Sequence, residues 1–340
     1  MNLTVTPKLI LMKKSLKYLL ILIAFQNYGQ ELNLPVFTQY LADNDFVVSP
    51  TFAGIGNNFR TRLNGLTQWV GIKNAPQNQA LYADIRIASR SGAGVSAYND
   101  RNGNTQQKGL KFSFAHHLIL DYTSEQYLSL GISYNINMFR IAIEDFETNY
   151  ENPTIDPFVT DDRSLVNHNF DIGALYRFKD FWLSANANNI LPKDIDLFSA
   201  IEPISLLNLQ FYSGYTINTT NNSDFEPSVF VQVFTSDGRS STDLNFKYKK
   251  YNRDNDFYWI GASYRFLNDQ VMQPLNIGPM AGFKKSFFYV AYAYQVTLND
   301  LTGYNSGTHA VTIGFDLLQS LSDCPCTKGK NNGMGNRLYQ

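Results

Sequence analysis

From Phe59 to Leu317 the chain repeats one arrangement, about ten to twelve residues in which apolar and polar side chains alternate strictly, then a polar turn. Leu128, Leu130, Ile132, Tyr134, Ile136 and Met138 take one set of alternate positions, and Ser129, Gly131, Ser133, Asn135 and Asn137 take the other. Successive side chains of a strand point to opposite faces, so this segment has one oily face and one small, polar face. The pattern recurs with Val311, Ile313, Phe315 and Leu317 opposite Thr308, Ala310, Thr312, Gly314 and Asp316. It recurs again with Phe170, Ile172, Ala174, Tyr176 and Phe178 opposite Asn169, Asp171, Gly173 and Arg177. Leu244, Phe246 and Tyr248 stand in the same way against Asp243, Asn245, Lys247 and Lys249.

The polar face decides what solvent each side meets. A soluble sandwich buries its oily faces together and shows Lys, Glu and Thr to water. Here the polar face is crowded with Asn, Ser, Gly and Tyr, which suit a confined wet lumen, while the aliphatic and aromatic face suits lipid. Segment length agrees, because roughly 9 to 11 tilted residues cross a bilayer and soluble strands average about 5 or 6. The expected fold is all-β, a transmembrane antiparallel up-and-down β-barrel of the outer membrane. Its candidate strands are 59–70, 78–88, 92–99, 109–120, 126–138, 167–178, 181–190, 206–217, 227–235, 240–249, 256–266, 271–282, 286–297 and 308–317. That is fourteen, or twelve if 92–99 and the proline-bearing 271–282 are set aside. The connections alternate in length, with 139–166, 191–205 and 298–307 long and 89–91, 179–180 and 283–285 short. Outer-membrane barrels have short periplasmic turns and longer outer loops, so both ends of the barrel are expected on the periplasmic side. The short 267–270 and the longer 218–226 fit that register least well.

Composition narrows the field further. With 28 basic and 29 acidic residues the net charge is −1, which removes the electrostatic case for nucleic acid as a partner. Charged residues are only 17% and aromatics 14%, and no apolar run of about 18 residues follows the first thirty, so a helical multipass protein is excluded. Lys13, Lys14 and Lys17 before the apolar stretch 18–25, with Gly29 preceding Gln30, predict a cleaved signal peptide over 1–29. The expected organisation is then a periplasmic or plug segment at 30–58, a barrel at 59–317 and a polar tail at 318–340. The plug idea comes from Phe37, Tyr40, Phe46 and Phe52, which lack strand alternation. Cys324 and Cys326, in the tail, are read as a pair that could oxidise or bind a metal, with no second cluster to complete a zinc site.

No catalytic motif is present, neither a nucleophile elbow, a phosphate-binding loop, a zincin helix nor a paired Cys-x-x-Cys, so no enzyme, cofactor or metal is expected. His116 and His117 are strand neighbours and face opposite ways, and His309 shares the oily register of Val311. Asp100-Arg101-Asn102-Gly103-Asn104 starts like a calcium loop but has Lys111 where the bidentate Glu belongs, which favours a β-turn. Asp145, Glu147, Asp156, Asp161 and Asp162 read as a solvated outer loop. Arg60, Arg62, Asp84 and Arg86 share the inward face of the first two strands, either as a selectivity lining or as a salt-bridge ladder. Trp69, Lys73 and Pro76, with Tyr304 and Asn305, lie in outer loops and are candidates for partner binding, although Trp69 and Tyr304 also suit an aromatic belt at the membrane edge.

Several segments resemble one family. Pro35-x-Phe37-x-Gln39-Tyr40, Ser49-Pro50-Thr51-Phe52-Ala53-Gly54 and Gln68-Trp69-Val70-Gly71-Ile72-Lys73-Asn74-Ala75-Pro76 are similar to the start of the PorP/SprF family of type IX secretion system membrane proteins. Gly92-Ala93-Gly94-Val95-Ser96 with Asn99-Asp100 resembles its third strand. Tyr292-Ala293-Tyr294, Leu301, Tyr304-Asn305-Ser306-Gly307-Thr308-His309 and Phe315-Asp316 resemble its closing strands, and the tail from Cys324 to Gln340 is extra. The resemblance implies an outer-membrane barrel that works with type IX translocon components in Gram-negative bacteria that glide or secrete large surface proteins. It further implies a role in the export or surface retention of a large adhesin that carries a type IX C-terminal domain. Lipid and lipopolysaccharide would surround the barrel. Two other readings remain at this point, a diffusion channel or transporter for small or hydrophobic solutes, and a secreted soluble β-domain such as a lectin.

Overall fold

The computed structural model describes residues 44–56, 59–141, 163–192, 206–219, 222–236, 238–252, 256–269, 274–298, 303–318 and 324–327. The strands are β1 (Phe59–Thr67), β2 (Gln77–Ala88), β3 (Ser91–Asn102), β4 (Thr105–Asp121), β5 (Gln126–Ile141), β6 (Arg163–Phe178), β7 (Phe181–Asn188) and β8 (Asn208–Tyr215). They continue with β9 (Ile217–Thr219), β10 (Ser223–Phe234), β11 (Ser240–Tyr251), β12 (Phe257–Leu267), β13 (Pro274–Lys285), β14 (Phe288–Thr297) and β15 (Thr308–Leu317). Neighbours in sequence pair antiparallel, β8 and β9 both lie along β10, and β15 returns to β1 from Phe59↔Leu317 to Thr67↔His309. The sheet therefore closes on itself as a 14-strand barrel, β8 and β9 forming one stave. Closure pairs the first strand with the last, so neither presents an open edge to lipid, where an unpaired backbone group has no water to satisfy it. No helix among the described residues is long and apolar enough to cross a membrane.

Prolines explain where the ladder is interrupted. Gly214↔Ser228 and Ile217↔Phe225 lie in one continuous register, and the gap between them falls opposite Pro227, which has no N–H to donate. One stave is thus divided into β8 and β9 without a slip. Pro279 does the same to the β13–β14 ladder, which skips from Ile277↔Val296 to Met280↔Ala293. The segments expected to be weakest, 92–99 and 271–282, are full strands β3 and β13, so the twelve-strand count is ruled out. The stretch 218–226 is no long turn, since β9 and β10 occupy most of it and only 220–222 connects them.

The alternation sorts faces as expected. Ile132 is 47% exposed on the outside while its neighbour Ser133 is 1% exposed on the inside. Val311, Ile313, Phe315, Leu244 and Phe246 are likewise outward, and Asp243, Lys249, Thr312 and Asp316 are buried inward. One rim carries the short connections 89–90, 122–125, 179–180, 220–222, 252–256 and 286–287 together with both ends of the barrel. The other carries 68–76, 142–162, 189–207, 235–239, 268–273 and 298–307, with the two-residue turn 103–104 as its exception. Asp145, Glu147, Asp156, Asp161 and Asp162 fall outside the described residues, as do residues 1–43 with the signal-peptide reading, Phe37 and Tyr40.

Candidate functional site

The inward face of β3–β6 is a shelf of small residues. Pairing lines up Arg86, Gly92, Ala115, Gly131, Gly173 and Asn186 in one row from β2 to β7. A parallel row runs Asp84, Gly94, Ser113, Ser133 and Asp171. Residues 44–56 lie on this shelf as two short 3-10 turns, Asp45–Val47 and Pro50–Phe52. The second turn follows from its sequence, because the Ser49 side chain accepts from the Thr51 amide at 3.2 Å and Pro50 supplies a fixed φ at the first position. The approach is close enough to require glycine. A Cβ on Gly131 would lie 2.6 Å from the Thr51 nitrogen, and one on Gly92 would strike the Ala53 carbonyl.

Side chains fasten the segment at several points. Phe46, Val48, Phe52, Ala53 and Ile55 form one apolar cluster with wall residues Ala115, Leu175, Trp182, Tyr212 and Phe230. The Gly54 amide donates to Asp84 Oδ2 at 3.0 Å, Tyr212 Oη to Asp45 Oδ1 at 3.1 Å, and Ser49 Oγ to Asn186 Oδ1. His117 is fully buried, with Nε2 3.0 Å from the Ala53 carbonyl and Nδ1 2.8 Å from Ser129 Oγ. A neutral ring protonated on Nε2 satisfies both, donating to the carbonyl and accepting from the hydroxyl. His116 points away to the outer face, against Ser91 Oγ at 3.0 Å, so the pair shares no ligand. Among the described residues no group of three or more His, Cys, Asp or Glu could hold a metal ion.

The four inward charges are brought together with partners that spacing alone did not reveal. Arg60 donates to both oxygens of Asp84, at 3.2 and 3.0 Å. Arg62 reaches Asp316 Oδ1 at 2.7 Å across the β1–β15 seam, and Lys284 approaches the other oxygen at 3.3 Å. Arg265 grips Asp243 with two bonds, at 2.6 and 2.7 Å. Arg86 turns instead to main chain, donating to the carbonyls of Gly54, Gly56 and Thr327. Arg60, Arg62 and Arg265 are thus paired with carboxylates on neighbouring strands, and Arg86 is held by main chain.

Cys324 and Cys326 form a disulfide, and Cys326 and Thr327 are fully buried. The Thr327 carbonyl accepts from the Gly56 amide at 2.7 Å, and the Cys326 carbonyl accepts from Arg177 on β6. The cue in the sequence was Pro between two Cys, which favours a tight turn.

At the long-loop rim, closure of β15 on β1 brings two loops side by side. The Val70 amide donates to the Gly307 carbonyl at 3.0 Å and the Ser306 amide to the Val70 carbonyl at 2.7 Å. Gln68 and Pro76 close the first loop at 2.9 Å, and the Gly103 amide ties it to the next hairpin through the Asn74 carbonyl at 3.1 Å. Trp69 is half-buried with a left-handed φ of 48°, Lys73 is exposed, Pro76 and Asn305 are half-buried, and Tyr304 is 77% exposed. The two loops that carry these five residues are thus joined at Val70, Ser306 and Gly307. The Asp100–Asn104 stretch is the end of β3 and a hairpin turn, as its chemistry predicted, with Gly103 at φ 59°.

The chain is similar to the CymD monoaromatic hydrocarbon channel, with a TM-score of 0.51 and 10% identity over 87% of this chain and 95% of that one. It is also similar to the Acinetobacter baumannii outer membrane protein Omp33, with a TM-score of 0.42 and 10% identity over 77% of this chain and 99% of that one. At such identities the first of these speaks for the fold alone. No curated protein matches the chain. The type IX secretion system membrane protein PorP/SprF family matches residues 29–315, nearly the whole of the barrel and its N-terminal segment, and the chain belongs to that family.

Proposed function

We propose that this outer-membrane barrel holds a large adhesin-like secreted protein at the cell surface for the type IX system, and that residues 44–56 plug its lumen. The observation that carries the reading is the joined loop patch. Main-chain bonds from Val70 to Ser306 and Gly307 tie the loop that carries Trp69, Lys73 and Pro76 to the one that carries Tyr304 and Asn305, and an exposed tyrosine on a pre-ordered surface suits a protein anchor. Family membership supports the secretion role, and the ordered segment on the β3–β6 shelf supports the plug. Residues 1–29 act in this reading as the cleaved export signal, which N-terminal sequencing starting at Gln30 would support.

The test is co-purification from the outer membrane. Tyr304→Ala combined with Lys73→Ala should lose a large surface protein bearing a type IX C-terminal domain while barrel abundance stays the same. Full retention of that protein would sink the reading. A diffusion channel for small or hydrophobic solutes is the second reading, favoured by the fold shared with a hydrocarbon channel. Swelling of liposomes in small sugars, and planar-bilayer conductance unchanged by deleting 30–58, would favour the channel and count against the plug.

A further inference from the structure

The Cys-Pro-Cys turn has no part in surface anchoring, yet its Cys326 and the following Thr327 are fully buried. Pro325–Thr327 is a single 3-10 turn, closed by the Thr327 amide on the Cys324 carbonyl at 3.2 Å and by Thr327 Oγ1 on the same carbonyl at 3.0 Å. The disulfide spans that turn, and the turn presents two consecutive carbonyls inward. Cys326 O meets Arg177, and Thr327 O meets both Arg86 Nη2, at 2.6 Å, and the Gly56 amide, at 2.7 Å. Arg86 Nη2 also holds Gly56 O at 2.6 Å. One guanidinium of the wall thus binds the N-terminal segment and the tail together.

A disulfide that closes so short a loop removes little entropy from the unfolded chain, because that contribution grows with loop length. Its effect is local, the shaping of a turn whose carbonyls fit two arginines and one amide. Without the S–S bond, the same three residues would have to be ordered anew to make the same contacts. Cys324 is partly exposed while Cys326 is fully buried, so Cys324 is the side of the bond nearer solvent.

We propose that the Cys324–Cys326 pair is a thiol–disulfide exchange site whose oxidised form clasps residues 52–56 in the lumen and whose reduction by a dithiol releases them. The inference rests on the plug reading and adds what controls the plug. A thiolate of the dithiol attacks Sγ of Cys324, the protein S–S bond breaks, and Cys326 leaves as a thiolate that takes up a proton. The second thiolate of the dithiol then attacks the dithiol's own sulfur in the mixed disulfide, and Cys324 leaves and is protonated. Two electrons pass from the dithiol, which ends as a disulfide, to the two cysteines, which end as thiols.

Hydrogen exchange read by mass spectrometry on the full chain in lipid nanodiscs tests this. The oxidised protein is compared with the same folded sample after dithiothreitol, the reduction being verified by intact mass. Amides of 52–56 should be protected in the oxidised form and exchange about tenfold faster on reduction, with β4 and β5 unchanged. Arg177→Gln, which keeps the disulfide but removes its wall partner, should speed the same amides. Equal protection in oxidised and fully reduced protein overturns the clasp and leaves the plug standing. Rapid exchange of 52–56 already in the oxidised protein overturns the plug, and the clasp with it.

Discussion

The inner walls of β3–β6 and of β12–β14 are built from the same alternating strands, yet they fill the lumen by opposite means. Along β3–β6 the inward residues Gly92, Gly94, Ala115, Gly131 and Gly173 leave a gap that residues 46–54 occupy with main chain and apolar side chains. Along β12–β14 the wall fills its space mainly with its own side chains, and of the segment only Val47 is packed against that cluster. Trp259 lies against Gly282 and Ala291, donates from Nε1 to Tyr289 Oη at 3.0 Å, and clusters with Phe257, Met280 and Leu66. Arg62 stacks 4.3 Å over the Tyr289 ring while bound to Asp316. Protein interiors tolerate few voids, so each arc needs large groups, supplied either by its own strands or by another stretch of chain. Removal of material from the self-filled arc should therefore weaken the barrel, whereas addition of material to the covered arc should displace residues 44–56.

Trp259→Ala should have the largest effect, a loss of about 3–5 kcal/mol of barrel stability from the cavity left beside Tyr289. Urea titration in lipid vesicles, read by the mobility of folded and unfolded barrel in SDS gels, measures it. A loss no greater than that of a surface substitution would mean that the arc is not self-filled. Gly131→Val comes next, at about 1–3 kcal/mol, and the cost should fall on docking of the segment while the barrel keeps its stability. Chymotrypsin should then cut at Phe46 or Phe52, both buried in the native chain. His117→Ala removes one donor from the Ala53 carbonyl and should loosen the segment by about 1 kcal/mol, visible as partial cutting at the same sites. Gly65→Ala is the control, because a Cβ there meets nothing within 4 Å, and it should stay within about 0.5 kcal/mol of the parent in both assays.

How much of this was legible depended on whether a feature was local. Ile132 and Ser133 declare their faces through their own chemistry, and the same holds for Val311 and Thr312, so the membrane-spanning class and the strands followed from period-two alternation. The prolines that argued against 271–282 turned out to mark interruptions inside a full strand, because a barrel stave is held on both sides and survives the loss of one donor. Arg62 was recognisably inward, yet its partner Asp316 stands 254 positions away. Gly131 and Gly173 read as small lumen residues, with no sign that Thr51 would lie on them. The candidate loop residues were singled out one by one, and the joining of their two loops depended on the seam between β1 and β15.

The alternation of side chains by itself determined an oily outside, a small polar inside, the approximate strand boundaries and the rim on which the long loops fall, since each is set by neighbours one or two residues apart. Only the tertiary structure decided the closing register from Phe59↔Leu317 to Thr67↔His309, the partners of the inward charges, and the burial of residues 44–56 and of the Cys324–Cys326 turn. Those features depend on how a ring of strands is staggered when it closes, which brings together groups from opposite ends of the chain that no local pattern connects.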